Sequence, residues 1–385
     1  MGRAEAACGP ILCVVGARPN FMKMAPLLRA LNATPGAPPV VLVHTGQHYD
    51  HALSDQLFAD LGLPAPDVNL EVGSASHAVQ TAEVMKRFEP VLDAYSPSLV
   101  VVVGDVNSTL ACALVASKKG VAVAHVEAGL RSYDRSMPEE INRVLTDQIA
   151  DLLYTTEREA EANLAREGIG AERVVFVGNL MIDSLRAALP RAVPAPQVLS
   201  AAGLDPGRIA RGYGLLTLHR PSNVDDPAAL AEVLAILESA SRQLSLVWPV
   251  HPRTRAALER QGGLERLAKA DIVLLEPQGY REMVGLMASA SLVLTDSGGV
   301  QEESTALGVP CLTMRENTER PITILEGTNT LVGRDGVLID RLIREVLATG
   351  GKRGRTPEGW DGEAAPRIAR HMAGWLASQV SLGGP

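Results

Sequence analysis

Short runs of apolar, largely β-branched residues alternate with longer helical stretches along most of this 385-residue chain. The runs lack the polar alternation of half-exposed strands, which indicates strands covered on both faces. They form two sets: Ile11–Val15, Val40–Val43, Leu99–Val103, Val121–Ala124 and Val174–Val177, then Leu215–Leu218, Leu246–Val250, Ile272–Leu275, Leu292–Thr295 and Pro310–Met314. Because the helices between them imply parallel crossovers, the pattern predicts an α/β chain with two doubly wound sheets.

Two breaks in the pattern predict the domain boundaries. Residues 187–212 contain four prolines and have no clear period, so we interpret them as a linker and the entry to a second domain. Residues 349–363 are rich in glycine and charge and precede an amphipathic stretch. We therefore expect an N-terminal domain over 1–186, a C-terminal domain over 187–363, and a closing helix over 364–382.

Composition argues against several classes of protein. Only 3% of the residues are aromatic, which argues against a protein that binds single-stranded nucleic acid by base stacking. The net charge is −8, which argues against binding to a nucleic-acid backbone. No apolar run is long enough for a membrane span or a secretory signal. Cys8, Cys13, Cys112 and Cys311 fit neither a zinc site nor a disulfide framework. We expect a cytoplasmic protein without nucleic-acid or membrane partners, in which local cations and helix ends hold any bound phosphate.

Polar residues follow the predicted strands in both halves of the chain. They are Arg18, Asp105, His125, Glu127, His219, Arg220, His251 and Asp296. In open parallel sheets, ligands bind beyond the carboxyl ends of the strands. The agreement of both halves predicts one active site in the cleft between two domains.

The segment 296–303 (DSGGVQEE) is a candidate diphosphate site. Small residues open a helix directly after a strand, and the free N–H groups and dipole of such a helix end favour an anion. A glutamate one turn into the helix is placed to accept from ribose hydroxyls. An ordinary helix cap with acidic first-turn residues is the alternative interpretation.

The loop after the first strand, 16–26 (GARPNFMKMAP), is neither a GxGxxG sequence nor a Walker motif. This weakens the case for a nicotinamide cofactor or P-loop phosphoryl transfer. Arg18 and Lys23 instead offer discrete cations to an anionic ligand. Lys23 fits a solvated helix face equally well.

Three carboxylates, Asp105, Glu127 and Glu139, follow strands or open a helix and are candidates for acid/base work. Asp105 also fits a helix N-cap, and Glu139 also fits an i,i+4 ion pair with Arg143. Glu127 has the least convincing structural explanation.

His44, His48 and His51 lie within eight residues, but no cysteine, ligand-spaced glutamate or clear helix face accompanies them. We therefore expect no metal site there. No Ser-His-Asp triad can be named from order or spacing.

A set of short motifs occurs in one order from Gly16 to about Gly333. They are GARPNFMKMAP (16–26), GQH (46–48), GDVNSTLA (104–111), HVEAGLRS (125–132), MPEEINR (137–143), VGN (177–179), TLHR (217–220), PVHP (249–252), PQGY (277–280), LTDSGGVQEES (294–304) and NTERP (317–321). Over nearly the whole chain they closely resemble the UDP-N-acetylglucosamine 2-epimerases.

The resemblance implies a GT-B-like fold of two Rossmann-like domains, with the nucleotide sugar in the cleft, and a closing helix that packs back onto the first domain. It also implies a homodimer formed through the first domain. Carried over motif by motif, the substrate-binding residues are Arg18, Lys23, Arg143, His251, Gln278, Met283, Ser297, Gly298, Gly299, Glu303 and Arg320. Ser297 to Gly299 are expected to meet the diphosphate, and Glu303 the ribose. Gln278 and Met283 are expected near the uracil.

The family reaction inverts C2 of the sugar without NAD or another cofactor. Loss of UDP from C1 makes the C2 proton acidic, a base removes it, and UDP returns after reprotonation on the opposite face to give UDP-N-acetylmannosamine. The resemblance gives the catalytic roles to Asp105, Glu127, Glu139 and His219, and leaves open which carboxylate is the acid. Arg18, His219 and Arg320 are expected to balance the phosphate charge.

The chain departs from the family pattern at several positions. The first loop lacks the threonine and glutamate that flank its Arg-Pro in many members, and Met283 replaces an aromatic residue. Tyr49-Asp50 replaces an Arg-Gln pair that helps several bacterial members bind a second, activating substrate, and 71–76 lacks an arginine used there. We therefore expect weak or absent substrate activation.

Other activities stay open. A hydrolysing epimerase and an epimerase for a diacetamido-uronic UDP-sugar belong to the same class. A GT-B glycosyltransferase and an inactive nucleotide-sugar sensor are alternatives of other classes. The presence of Asp105, Glu127 and Glu139 together with Arg18 and Lys23 favours an epimerase. We expect its product to supply ManNAc residues for surface polysaccharide synthesis.

Overall fold

The computed structural model describes residues 9–46 and 57–382, which divide into two compact units. Unit 1 comprises Met1–Ser184 and Glu358–Pro385, and unit 2 comprises Leu185–Pro357. In the described residues, no helix combines the length and hydropathy that a bilayer crossing requires.

The described part of unit 1 contains a seven-stranded parallel sheet in the order β3-β2-β1-β4-β5-β6-β7. Its strands are β1 Ile11–Val15, β2 Val40–His44, β3 Val68–Asn69, β4 Leu99–Val103, β5 Ala122–Ala128, β6 Leu152–Thr155 and β7 Val174–Phe176. β1 and β4 are buried throughout, as expected of strands with helices on both faces.

The helices of unit 1 lie between the strands and after β7. They are α1 Arg18–Ala33, α2 (57–61 within the described residues), α3 His77–Tyr95, α4 Asn107–Lys118, α5 Pro138–Ile149, α6 Arg158–Arg166 and α7 Leu180–Ala188. The division between the units falls inside α7, between Ser184 and Leu185.

Unit 2 contains a six-stranded parallel sheet in the order β10-β9-β8-β11-β12-β13. Its strands are β8 Gly214–Thr217, β9 Leu246–Pro249, β10 Ile272–Leu275, β11 Leu292–Thr295, β12 Cys311–Thr313 and β13 Asn329–Leu331. Its helices are α8 Ala195–Ala201, α9 Pro221–Val224, α10 Pro227–Ser241, α11 Pro252–Arg260, α12 Gly263–Leu267, α13 Tyr280–Ala288, α14 Gly298–Leu307, α15 Pro321–Leu325 and α16 Gly336–Thr349. The predicted pair of doubly wound parallel sheets is confirmed.

The last helix, α17 Ala364–Leu382, belongs to unit 1 and packs against α1. Ile368 and Met372 are fully buried in this contact face, which matches the amphipathic pattern of the sequence. Asp183 of α7 accepts hydrogen bonds from the backbone N–H groups of Ala364 and Ala365 and so caps the helix start.

The predicted end of β5 is wrong. The strand continues through Ala128, so His125 and Glu127 lie within it and not after it. Both side chains are buried, and each has a polar partner, Asp147 for His125 and Lys23 for Glu127. A polar residue with such a partner does not have to end a buried strand.

Candidate functional site

Glu127 and Lys23 form a buried ion pair in unit 1. Oε2 of Glu127 lies 2.5 Å from Nζ of Lys23, and the side chains are 4% and 7% exposed. Pairing offsets the free-energy cost of removing both charges from water. Of the two sequence interpretations of Lys23, the solvated helix face is therefore wrong.

The backbone of Glu127 is left-handed, with φ 73°. The pairing of β5 with β6 shifts register between Val126 and Ala128, so Glu127 is the extra residue of a bulge. A non-glycine residue in this conformation costs about 1–3 kcal/mol and persists only where its surroundings hold it. The bulge aims a carboxylate at Lys23, which makes Glu127 a candidate functional residue on geometric grounds.

Gly104 lies directly beside this ion pair, in the turn after β4. It has φ +68°, and a Cβ there would lie 3.6 Å from Nζ of Lys23 and 3.8 Å from Oε1 of Glu127. Asn20 ties the turn to the first loop: its amide donates to Val103 O at 2.9 Å, and its carbonyl oxygen accepts two backbone N–H groups after β1. The turns after β1 and β4 are thus held together around the ion pair.

Asp105 forms a second ion pair, with Arg143 of α5. Nη2 of Arg143 lies 2.5 Å from Oδ2 of Asp105, and Nη1 lies 2.5 Å from Oε2 of Glu140. The alternative interpretation of Glu139, an i,i+4 ion pair with Arg143, is not among the ion pairs of the described residues. The N-cap interpretation of Asp105 is wrong, since Val106 occupies the N-cap of α4.

Glu140 fixes the loop before α5. It accepts hydrogen bonds from the backbone N–H groups of Ser132 and Tyr133, each at 2.9 Å. Burial opposes its ionisation, but these bonds and the charge of Arg143 outweigh burial and lower the pKa of Glu140. The ionised form of Glu140 is thus favoured, and it helps to hold Arg143 toward Asp105.

Glu139 and Arg18 are the remaining candidates in unit 1. Glu139 is half-buried in the first turn of α5 and forms no ion pair within the part of the chain that the structure describes. Arg18 is exposed and is the first residue of α1. The structure thus joins Lys23 with Glu127 and Asp105 with Arg143, and it places Glu139 in the first turn of α5.

In unit 2, Asp296 holds His219 in place. The buried carboxylate accepts from the backbone N–H of His219 at 3.0 Å and of Arg220 at 2.9 Å, and its Oδ1 lies 3.1 Å from Nδ1 of His219. Burial opposes ionisation of Asp296, but the hydrogen bond and charge of His219 outweigh it and lower the pKa. Since Nδ1 faces Asp296, Nε2 of the 43% exposed His219 side chain is the nitrogen that can meet a ligand.

The start of α14 has the features of an anion site. Ser297 is its N-cap, Gly298 and Gly299 are its first residues, and no side chain caps it. A Cβ on Gly298 would lie 2.8 Å from Oε1 of Glu319, so a carboxylate already lies against this helix end. Burial opposes the ionisation of Glu319, yet nearby arginines, above all Arg315, lower its pKa to about 2. The surroundings therefore stabilise negative charge strongly.

Arg320 and Glu303 are both buried and have partners inside unit 2. Nε of Arg320 lies 2.8 Å from Oε1 of Glu302. Glu303, one turn into α14, accepts a hydrogen bond from the Tyr280 hydroxyl at 2.8 Å. Neither residue is a solvated surface charge, so each is held in a defined position near the start of α14.

The three other predicted residues of unit 2 are less buried. His251 is the N-cap of α11, and its ring centroid lies 6.0 Å from that of His219. The Gln278 amide donates to Glu276 O at 2.8 Å, and Met283 is half-buried on α13. The structure brings His251 close to His219 and leaves Gln278 and Met283 on the segments that follow β10.

Some residues of the histidine group, and of the loop that departs from the family pattern, lie outside the described residues. This concerns His48, His51 and Tyr49-Asp50. His44 is described and stacks on Phe21 with ring centroids 5.3 Å apart. Among the described residues, no group of three or more His, Cys, Asp or Glu side chains is arranged to hold a metal ion.

Sequence reasoning missed several residues that build these sites. Asp296 was itself among the polar residues that follow predicted strands, because it directly follows β11, but its role as the partner of His219 was not predicted. Gly104 and Glu140 offered no comparable signal, since their roles depend on contacts with other segments. Glu319 lies next to Arg320 in the NTERP motif, but its position in the sequence does not indicate that it lies against the start of α14.

The two parallel sheets and the anion-favouring helix end after β11 define a GT-B-like protein with Rossmann-like domains. A sequence profile described as "UDP-N-acetylglucosamine 2-epimerase" matches residues 29–373. The chain therefore belongs to the UDP-N-acetylglucosamine 2-epimerase family, a family of isomerases.

Individual relatives agree with this assignment. The UDP-N-acetylglucosamine 2-epimerase of Methanocaldococcus jannaschii is 41% identical over 362 residues, which cover 93% of this chain and 97% of the relative. A crystal structure of the M. jannaschii UDP-GlcNAc 2-epimerase in complex with UDP-GlcNAc and UDP has a TM-score of 0.85 at 39% identity, and covers 94% of this chain and 99% of that one. The UDP-2,3-diacetamido-2,3-dideoxy-D-glucuronate 2-epimerase of Pseudomonas aeruginosa is 40% identical, covering 94% and 99%.

Proposed function

We propose that the protein is a non-hydrolysing UDP-N-acetylglucosamine 2-epimerase that interconverts UDP-GlcNAc and UDP-ManNAc. The observation that carries this proposal is the strained, buried Glu127 paired with Lys23 beside Gly104. A glycosyltransferase that only moves a sugar from UDP to an acceptor has no need of a buried base for a carbon-bound proton. A C2 epimerase needs such a base.

The carboxylates of unit 1 serve proton transfer at C2. Inversion requires removal of a proton from one face of C2 and delivery of a proton to the other, so two groups are needed. Glu127 and Asp105 are each poised beside a cation, and Glu139 offers a third carboxylate. The cations Lys23 and Arg143 hold the carboxylates of Glu127 and Asp105 in defined positions.

The elements of unit 2 serve the departing and returning UDP. The C2 proton becomes acidic only as the C1–O bond to UDP breaks, so stabilisation of the diphosphate anion drives the step. The start of α14 provides N–H groups and a positive dipole end, and His219 and Arg320 provide positive charge. Glu303 is placed one turn into α14 for the ribose hydroxyls.

Incubation with UDP-GlcNAc in D2O, followed by proton NMR, tests the proposal. We expect UDP-ManNAc with deuterium at C2, together with deuterium in the recovered UDP-GlcNAc. Free ManNAc with an equal amount of UDP identifies a hydrolysing epimerase instead. No change unless an acceptor is added identifies a glycosyltransferase and overturns the proposal.

A second candidate substrate is a diacetamido-uronic UDP-sugar, favoured by the similarity to the P. aeruginosa enzyme. The two candidates differ at C3 and C6, where the uronic sugar carries an acetamido group and a carboxylate. Parallel assays with both nucleotide sugars at equal concentration decide between them through the ratio of kcat/KM values.

A further inference from the structure

His125 lies at the centre of a buried hydrogen-bond network beneath the carboxylates of unit 1. Its ring is fully buried in β5. Nδ1 lies 2.6 Å from Oδ1 of Asp147 on α5, and Nε2 lies 2.8 Å from the backbone oxygen of Gly104. The ring therefore links three segments: β5, α5 and the turn after β4.

Both partners of the ring accept hydrogen bonds. A backbone carbonyl such as that of Gly104 can only accept, so Nε2 must carry a hydrogen. The other carboxylate oxygen of Asp147 accepts from Gly129 N–H at 3.1 Å and lies 2.7 Å from Nη2 of Arg131. These donors favour an ionised Asp147, so Nδ1 of His125 must carry a hydrogen as well.

The charges around the ring balance. His125 and Arg131 provide two positive charges, while Asp147 and Glu167 provide two negative ones, with Arg131 bridging the two carboxylates. A buried cation in such a network is sustained by its partners. Lys23 and Glu127, which border Gly104, pair with each other.

We infer that His125 is a positioning residue that is protonated on both ring nitrogens and anchors the Gly104 turn beneath Glu127 and Asp105. The turn needs an anchor because Gly104 has a left-handed backbone and no side chain of its own. Its neighbour Asp105 bears one candidate catalytic carboxylate, and Gly104 itself borders Glu127. The catalytic part of this inference rests on the proposed epimerase function, whereas the protonation state does not.

Nitrogen-15 NMR of the histidine rings tests the protonation state in the wild-type protein. The His125 signals are assigned through their correlation with the backbone of residue 125. We expect a directly bonded hydrogen on both ring nitrogens at neutral pH. If Nε2 carries none, the bond to Gly104 O does not exist and the inference is overturned, whether or not the protein is an epimerase.

Kinetics of His125→Gln test the positioning role, with His371→Gln as a matched control. His371 is a partly buried histidine of the same unit that contacts Tyr154 at 3.0 Å and lies on α17. We expect His125→Gln to lower kcat for C2 exchange up to about 100-fold, the penalty of a misplaced catalytic group. The KM for the UDP-sugar and the Kd for UDP should stay within about 2-fold, because most of the residues expected to contact UDP belong to unit 2.

The control variant should retain wild-type kcat and KM. A folded His125→Gln protein with unchanged kcat, or with a raised KM alone, contradicts the positioning role. If this variant does not fold, the NMR measurement on the wild-type protein still decides the inference. Failure of the epimerase proposal is recognised separately, because the wild-type enzyme then shows no C2 exchange.

Discussion

Glu127 is a buried acid whose backbone and side chain are both held against their intrinsic preferences. Its φ of 73° costs free energy, and so does its burial. Lys23 offsets the second cost but not the first. A glycine at 127 would relieve the backbone, yet it would remove the carboxylate, so the carboxylate is the feature that explains the strain.

Glu127→Gln keeps the shape of this side chain and removes its ability to take a proton. We expect deuterium exchange at C2 to fall at least about 100-fold, the usual contribution of a positioned acid or base. UDP affinity, measured by calorimetry, should change by no more than about 2-fold, since the contacts expected for UDP lie in unit 2.

Glu83→Gln is a suitable control for this prediction. Glu83 lies on α3 of the same unit and pairs with Lys86 at the surface. Its variant should exchange C2 protons at the wild-type rate. Retained exchange in Glu127→Gln would remove Glu127 from the mechanism and leave Asp105 and Glu139 as the proton-transfer pair.

Single residues of the site were predictable from the sequence, but their pairings were not. The strand-end rule led to Asp105 and His219, because chain direction alone fixes which end of a strand faces the site. The partner of Arg143 depends on where α5 begins relative to the turn after β4. The observed start of α5 places Arg143 beside Asp105 and Glu140. Glu139, which directly precedes Glu140, forms no ion pair among the described residues.

The docking of α17 onto unit 1 depends on one carboxylate. Asp183 caps the helix start through the N–H groups of Ala364 and Ala365. Burial raises the pKa of Asp183 to about 6, although these two hydrogen bonds act in the opposite direction. Asp361 and Glu363, both negative, add to the increase. The Asp183 carboxylate is therefore charged at neutral pH, and this buried charge lowers the free energy of unfolding.

The sign of the resulting pH dependence follows from the raised pKa of Asp183. Its contribution to stability is fully present below the unfolded pKa of 3.8 and is lost as pH rises to about 6. The loss is on the order of 3 kcal/mol. Relative to wild type, Asp183→Asn should gain that amount in unfolding free energy between about pH 4 and pH 7.

Urea unfolding at a series of pH values, followed by circular dichroism, measures this difference. Asp335→Asn is the matched control, because Asp335 is an exposed N-cap aspartate of α16. The gain between about pH 4 and pH 7 that is expected for Asp183→Asn should be absent from this variant. Parallel curves for Asp183→Asn and wild type would show that the charge of Asp183 does not limit stability.

Whole elements were predictable where apolar runs were long enough to indicate a strand. β1, β4, β10 and β11 match their predicted bounds, since each is an uninterrupted apolar or β-branched run. β3 and β13 were missed because two or three residues, partly polar, give no period. β6 was missed as well, although it is four residues long, as are β10 and β11, and its pairing with β5 and β7 identifies it.

At the scale of the molecule, the candidate functional residues are divided between two units of similar sheet topology. The proton-transfer candidates Asp105, Glu127 and Glu139 all belong to unit 1, as do their neighbours Lys23 and Arg143. The start of α14 and the residues His219, Glu303 and Arg320 belong to unit 2. The net charge of −8 does not disfavour a diphosphate ligand, because discrete cations and one helix end govern the local potential.

This division predicts where ligands slow amide hydrogen exchange. UDP alone should protect mainly unit 2, at 217–224, 296–303 and 315–323, since those segments carry the helix end and its cations. UDP-GlcNAc should add protection at 104–109 and 125–143, where the sugar meets the carboxylates. Mass spectrometry of peptic peptides reports both patterns, and Glu127→Gln serves as the control because it should keep the UDP pattern. Stronger protection of 104–109 than of 296–303 by UDP alone would contradict the assignment of the nucleotide to unit 2.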